Sequence, residues 1–254
     1  MIKEYLKRNL SDHSRRKLRK LVDNIRAFGF GMNLDRLGRI YRTDKSGLHF
    51  YTKHYQTHFR KFKFKSINLL EIGVGGYDDP EIGGSSLRMW RKYFPFGRIY
   101  SLDIYDKSSQ QERRIKIFKG SQVDVSFLEK VTSEIGELDI IIDDGSHINE
   151  HVIETFKILF PKLKDGGIYV IEDTQTSYWP EYGGDSMDLN RTNTLMNYFK
   201  AMTDCLNNKE FINPGYTQTY FDRKLIAMHF YHNLIFIYKG DNAEESNVVK
   251  NNQF

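Results

Sequence analysis

The sequence predicts an α/β fold, a doubly wound, seven-stranded, mostly parallel sheet closed by an antiparallel C-terminal hairpin. Three observations predict it. Five short Ile/Val/Leu runs, at 67–73, 97–104, 115–120, 138–144 and 167–173, alternate with longer amphipathic stretches. Continuous apolar runs of that length suit strands buried on both faces, which is the parallel case. The stretches at about 85–94, 125–135, 149–163 and 187–206 have helical spacing. The last two apolar runs, KLIAMHFYH (224–232) and LIFIYKG (234–240), are separated by little more than Asn233. That link is too short for a crossover, so the two strands pair antiparallel.

Length and composition agree. The chain has 254 residues, 39% apolar, 14% aromatic and 28% charged, which is one sizeable globular domain with appendages rather than a disordered or collagen-like chain. A single cysteine, Cys205, excludes an intramolecular disulfide framework and a multi-cysteine metal site. No 18-residue apolar run predicts a membrane span. The first twenty residues lack the apolar core of a secretory signal, so the cytoplasm is the expected address.

Residues 1–30 read as a basic leader of one or two amphipathic helices, ended by the Gly29–Gly31 region. Nine Lys/Arg against Glu4, Asp12 and Asp23 give this stretch +6, and the rest of the chain sums to −1. Leu6, Leu10, Leu18, Val22 and Ile25 are expected to face inward. The basic side chains also make the leader a candidate for contact with an anionic membrane face, a polyanion or an acidic partner surface. A near-neutral body speaks against a nucleic-acid partner.

Residues 31–66 are rich in aromatic and polar groups without strand signals and read as a lid or cap. His49 and Tyr51 in it are candidates to line a substrate pocket. His54 and His58 share i, i+4 spacing but lack a third ligand, so a zinc site is not expected there. Residues 67–240 are the main domain and 241–254 a polar tail expected to fray.

The first strand runs into Glu71-Ile-Gly73-Val-Gly75-Gly76-Tyr-Asp78-Asp79-Pro80. Glycines after strand one let the backbone approach a ligand at the carboxyl edge of a doubly wound, Rossmann-like sheet. Asp78 stands where a dinucleotide loop would carry its third glycine, and more acid follows. A pyrophosphate is therefore disfavoured, whereas Glu71 suits a cationic ligand such as the aminoacyl part of S-adenosylmethionine. Asp103, at the tip of strand two, is placed to accept ribose hydroxyls. Gln122, after strand three, suits an adenine edge, while Asp124 is a candidate helix N-cap.

Strand four ends Asp143-Asp144-Gly-Ser-His147, and strand five ends Glu172-Asp173. Neighbouring strands lie about 5 Å apart, so these carboxylates converge. Three clustered carboxylates, Asp144, Glu172 and Asp173, are costly without a cation, and their hard oxygens suit Mg²⁺. His147 beside them is a candidate general base. The plain structural alternative is a helix cap and a packed histidine.

The motifs LEIGVGGYDDPEIGGSSLRMWRKYFP, DIIIDDGSHINEHV and YVIEDTQTSYWPEYGG resemble the Mg²⁺-dependent sugar O-methyltransferases of macrolide and aromatic polyketide biosynthesis, which have the class I methyltransferase fold. The likeness runs from about Leu37 to Gly240. It implies S-adenosylmethionine as donor and Mg²⁺ as metal, with Asp144, Glu172 and Asp173 as ligands and His147 as general base. It places Glu71, Gly73, Gly75, Ser86, Asp103, Gln122 and Asp143 in the donor site. Tyr178, Trp179 and Tyr182 follow the second acidic strand end and are candidates for stacking on a sugar. Some members of the family carry a large extra N-terminal domain that is not seen in this sequence. The alternatives are a phenolic or catechol-like acceptor and a non-catalytic binding protein of the same fold. A small-molecule or glycan partner and a homo-oligomer are the expected associations.

Overall fold

The structure is a computed structural model, and it describes residues 10–31 and 33–250. The chain divides into two compact units. One comprises residues up to Ser66 together with Gly84–Phe96, and the other Ile67–Gly83 together with the residues from Gly97 onward.

The second unit holds a seven-stranded sheet. Its strands are β1 (Asn68–Ile72), β2 (Arg98–Asp103), β3 (Ile115–Lys119), β4 (Leu138–Asp143), β5 (Leu163–Glu172), β6 (Leu225–Tyr231) and β7 (Leu234–Lys239). Their order is β3-β2-β1-β4-β5-β7-β6. The first five are parallel, and β7 runs antiparallel to both β5 and β6. The doubly wound sheet with its reversed hairpin is therefore as the apolar runs predict. The chain order reverses direction between β1 and β4, and such a switch point is where open α/β sheets bind ligands.

Both faces of the central strands are buried. Leu69, Ile140 and Ile168 point one way and Leu70, Ile141 and Tyr169 the other, all fully covered. Helices Val125–Ile135, Asn149–Leu159 and Leu195–Ala201 lay Val131, Phe156 and Phe199 on the second face. Phe156 is the hub, with ring centroids 4.9 Å from Phe199, 4.9 Å from Phe160 and 5.1 Å from Tyr169.

The expected helix at 187–206 begins late. Asp185 accepts the N–H groups of Met187 and Asp188, and Asp188 accepts that of Asn190. Such local turns compete with helix, and the helix starts only at Leu195, with Thr194 as its N-cap. The tail is also better anchored than expected. Asn242 donates to the carbonyls of Cys205 (3.1 Å) and Asp222 (2.9 Å), and Val249 is buried.

The first unit is helical, with α1 (Asp12–Arg26), α2 (Leu34–Tyr41), α3 (Thr52–Phe59) and α4 (Ser85–Tyr93). Its core is aromatic, with Trp90 against Tyr55 at 4.9 Å and Phe59 at 5.7 Å. Helix α1 corrects one expectation. Its buried side carries Asp23 and Ala27, whereas Leu18 and Ile25 are exposed. The reason is polar: Arg42 grips Asp23 through two bonds of 2.7 and 2.9 Å, and Tyr41 donates to Asn24 at 2.9 Å. Leu6 lies outside the described residues.

Candidate active site

The site is built on three adjacent strand ends, β1, β4 and β5. Register fixes the approach: Glu71 lies beside Ile142, and Asp143 beside Ile171. Two groups of side chains converge there, and Asp144 belongs to both. Asp144, His147 and Asp173 form one, and Glu71, Asp144 and Glu172 the other. In each group the ligand atoms lie within 4.8 Å of one another. Glu71 and Glu172 are buried, while Asp144, His147 and Asp173 are partly open to solvent. Of the three expected metal carboxylates only Asp144 belongs to both groups, while Glu172 and Asp173 fall in different ones. Glu71, whose sequence reading pointed to the donor, joins Asp144 and Glu172. Strand order is the missing signal: β1 and β4 are neighbours although distant in sequence. Among the described residues no comparable group includes His54 or His58.

Two of these residues hold an unusual backbone. His147 has φ 58° and Asp173 φ 54°, a left-handed conformation uncommon outside glycine and concentrated at functional sites. His147 Nε2 lies 3.7 Å from Asp173 Oδ2 and 4.0 Å from Asp144 Oδ1.

The turn carrying Asp144 and His147 is held from beneath by Gln122 and Asp143. Gln122 Oε1 accepts the Ser146 N–H at 2.8 Å, and Gln122 Nε2 donates to Asp143 (3.3 Å) and Thr155 (3.1 Å). Asp143 also accepts from Gly145 N–H at 3.4 Å and Tyr169 hydroxyl at 3.5 Å. A Cβ on Gly145 would meet Gln122 Oε1 at 2.3 Å and Ile72 Cγ2 at 2.8 Å, so the turn sits close down on the glutamine. Both side chains, expected among the donor contacts, are buried and spend these polar atoms on the turn itself. Burial is the main cause that pushes the Asp143 carboxyl up to about 7, and the neighbouring Asp144 charge adds to it.

On the other side of β1, Gly73 (φ 92°) closes the edge. A Cβ there would stand 2.1 Å from the Asp144 carbonyl oxygen. Asp103 Oδ2 accepts the Val74 N–H and its Oδ1 the Tyr105 N–H, both at 2.9 Å. The carboxylate is thereby fixed at the strand tip with a lone pair left on each oxygen. Gly75, at φ 78°, continues the loop. Buried Lys107 pins the loop's far end through the carbonyls of Asp79 (2.7 Å) and Ile82 (3.2 Å), a staple that spacing alone does not reveal.

Beyond β5, the segment carrying Tyr178, Trp179 and Tyr182 is tied down by buried Asn149. Its Nδ2 donates to the carbonyls of Thr176 (3.0 Å) and Tyr182 (2.8 Å), and its Oδ1 accepts the Leu195 N–H at 2.6 Å. Trp179 and Tyr178 remain 44% and 39% exposed, with the Trp179 and Tyr182 centroids 6.0 Å apart. Three other expected residues lie in the first unit. Ser86 is buried in the first turn of α4, His49 stacks on Tyr51 at 5.1 Å, and Tyr51 is only 1% exposed. Tyr51 is a core residue of its unit and offers no open ring face.

The chain is similar to known methyltransferases over most of its length. The chain is 45% identical over 214 residues to the mycinamicin VI 2''-O-methyltransferase of Micromonospora griseorubida, covering 84% of this chain and 54% of that protein. It is 47% identical over 214 residues to the demethylmacrocin O-methyltransferase of Streptomyces fradiae, with the same coverage. Over that stretch the chain is similar to these O-methyltransferases. The solved structure of the mycinamycin-pathway methyltransferase MycE in complex with Mg, SAH and mycinamycin VI matches with a TM-score of 0.80 at 45% identity. That match covers 84% of this chain and 55% of that one. The chain thus spans about half the length of these sugar O-methyltransferases. No family model matches it. The resemblance read from the DDGSH and IEDTQTSYWP motifs is borne out, and so is the class I methyltransferase fold.

The donor set fits a hard divalent cation, being carboxylate oxygens with one imidazole at the rim. The Gly73 loop and the fixed Asp103 carboxylate fit an adenosine-containing donor.

Proposed function

We propose that the chain is an S-adenosylmethionine-dependent O-methyltransferase that modifies a sugar hydroxyl of a glycosylated natural product, glycan or nucleotide sugar. The observation that carries the reading is the pair of acidic groups sharing Asp144, with His147 at their rim. The similarity to the mycinamicin VI 2''-O-methyltransferase and the demethylmacrocin O-methyltransferase supports it.

In this reading Asp144, Glu172 and Asp173 are the metal ligands, and Glu71 stands behind them. Mg²⁺ held there would offset the carboxylate charge and acidify an acceptor hydroxyl. His147 Nε2, 3.7 Å from Asp173 Oδ2, takes the hydroxyl proton. The acceptor oxygen then bonds to the methyl carbon as the carbon–sulfur bond of the sulfonium breaks, leaving the thioether. Asp103 accepts the donor's ribose hydroxyls with the lone pairs that Val74 and Tyr105 leave open. Trp179 and Tyr182 supply a surface for the sugar ring. Fixing these groups on strand ends and pinned turns is what converts binding into rate.

Calorimetric titration of S-adenosylmethionine with and without Mg²⁺, on the wild type and Asp144→Ala, tests the reading. Donor binding with a separate Mg²⁺ heat that the substitution abolishes is the expected result. Absence of donor binding overturns it, and donor binding without any Mg²⁺ heat overturns the metal-dependent mechanism.

A further inference from the structure

Helix α1 presents its apolar residues to solvent. Leu18, Leu21 and Ile25 recur at i, i+3, i+7 spacing and so share one stripe. They are 37%, 57% and 65% exposed, and Phe28, just past the helix, is 85% exposed. Single exposed leucines are ordinary, but large apolar side chains aligned along one helix mark a surface meant to be covered.

The borders of the stripe are cationic. Arg15, Arg19 and Arg26 run along one side and Lys17 along the other, and the Lys92 ammonium stands 5.4 Å from the Phe28 ring. The helix's two acids are both engaged, Asp12 by Arg15 at 2.9 Å and Asp23 by Arg42 at 2.7 Å. The outward face therefore has an apolar centre and a basic rim. A second copy of the same face would set like charges against each other. An anionic bilayer takes both parts, with acyl chains receiving the apolar stripe and headgroup phosphates the rim.

We propose that α1 is a membrane-surface helix that lies along an anionic lipid bilayer. Leu18, Leu21, Ile25 and Phe28 sit at the acyl boundary, and Arg15, Lys17, Arg19 and Arg26 reach the headgroup phosphates. Its 15 residues span about 22 Å, and no described helix is long and apolar enough to cross a membrane. The helix lies in the plane of the surface. This surface is independent of the methyl-transfer reading.

Co-sedimentation of the whole chain with vesicles tests it. Mixed phosphatidylglycerol–phosphatidylcholine vesicles should bind it at least about tenfold more tightly than phosphatidylcholine alone. Raising salt from about 0.1 to about 0.5 M should weaken the binding. The double variant Leu21→Glu/Ile25→Glu should lose at least about tenfold. Lys17→Glu/Arg19→Glu, which alters only exposed rim positions, should lose binding in the same direction, so the test does not hang on one variant's folding. Donor titration on both variants should match the wild type, which separates this surface from the catalytic reading. No binding to the anionic vesicles, or equal binding by the variants, overturns the proposal. So does a wild-type dimer in light scattering that Leu21→Glu/Ile25→Glu dissolves without any lipid binding by the wild type.

Discussion

His147 Nε2 lies 3.7 Å from Asp173 Oδ2, and the two residues reach each other from left-handed backbone on adjacent strand ends. Neither strand end alone makes this contact. The imidazole and the carboxylate follow β4 and β5, so the pair exists only once those strands are in register. If His147 takes the acceptor proton, His147→Ala lowers the methyl-transfer rate by about 10²–10⁴. Donor affinity should be unchanged, and single-turnover kinetics beside donor calorimetry check both halves.

Glu71 is the buried member of the second acidic group, with Asp144 and Glu172. Glu71→Gln keeps the shape and removes one charge. Mg²⁺ should then bind more weakly, with its affinity less sensitive to acid, because fewer carboxylates need to be deprotonated. Mg²⁺ titration at several pH values measures this directly. Unchanged affinity would assign Glu71 to some other task.

Gln122 supports the turn that carries Asp144 and His147 through its bond to the Ser146 N–H. Gln122→Leu leaves that N–H and the Asp143 carboxyl short of a partner, each in a buried or half-buried place. A loss of about 1–3 kcal/mol in unfolding free energy follows, read from denaturant curves. Catalytic rate should fall more than this stability loss explains, since His147 is one residue beyond the unpinned amide.

The Asp143 carboxyl gives a pH signature to metal-free protein. Its folded value is raised to about 7 by burial, against about 3.9 in an unfolded chain. A raised folded value means the protonated form is the one the fold prefers. Its favourable contribution is complete below about pH 4 and declines as pH rises toward about 7. The decline is worth at most about 4 kcal/mol. Thermal unfolding in chelator across that window should show the loss in the wild type and a flatter profile in Asp143→Asn.

Asn149 fixes the aromatic segment by bonding both Thr176 and Tyr182 carbonyls. Asn149→Ala frees that segment while leaving the acidic groups in place. If Trp179 and Tyr182 form the acceptor platform, KM for a sugar acceptor should rise with little change in donor affinity. A fall in kcat alone would place the segment elsewhere in the cycle.

The chain's own pattern determined the sheet. Five apolar runs, their helical spacers and the closing hairpin are local signals, since burial on both faces demands unbroken Ile/Val/Leu and a short link forces reversal. The carboxylates at the ends of β4 and β5 were legible for the same reason, because strand ends are where parallel strands present side chains together.

Only the tertiary structure decided the rest. Glu71 joins Asp144 because β1 and β4 are neighbours across a chain reversal, which no local spacing encodes. Gln122 and Asn149 act through buried hydrogen bonds to backbone 24 and 27 residues away, and such pairing depends on which turns the fold brings together. The face that α1 buries was set by Arg42 gripping Asp23 rather than by hydrophobic periodicity. A periodic stripe shows that a helix has an apolar side. Its partners decide whether that side faces the core or the solvent.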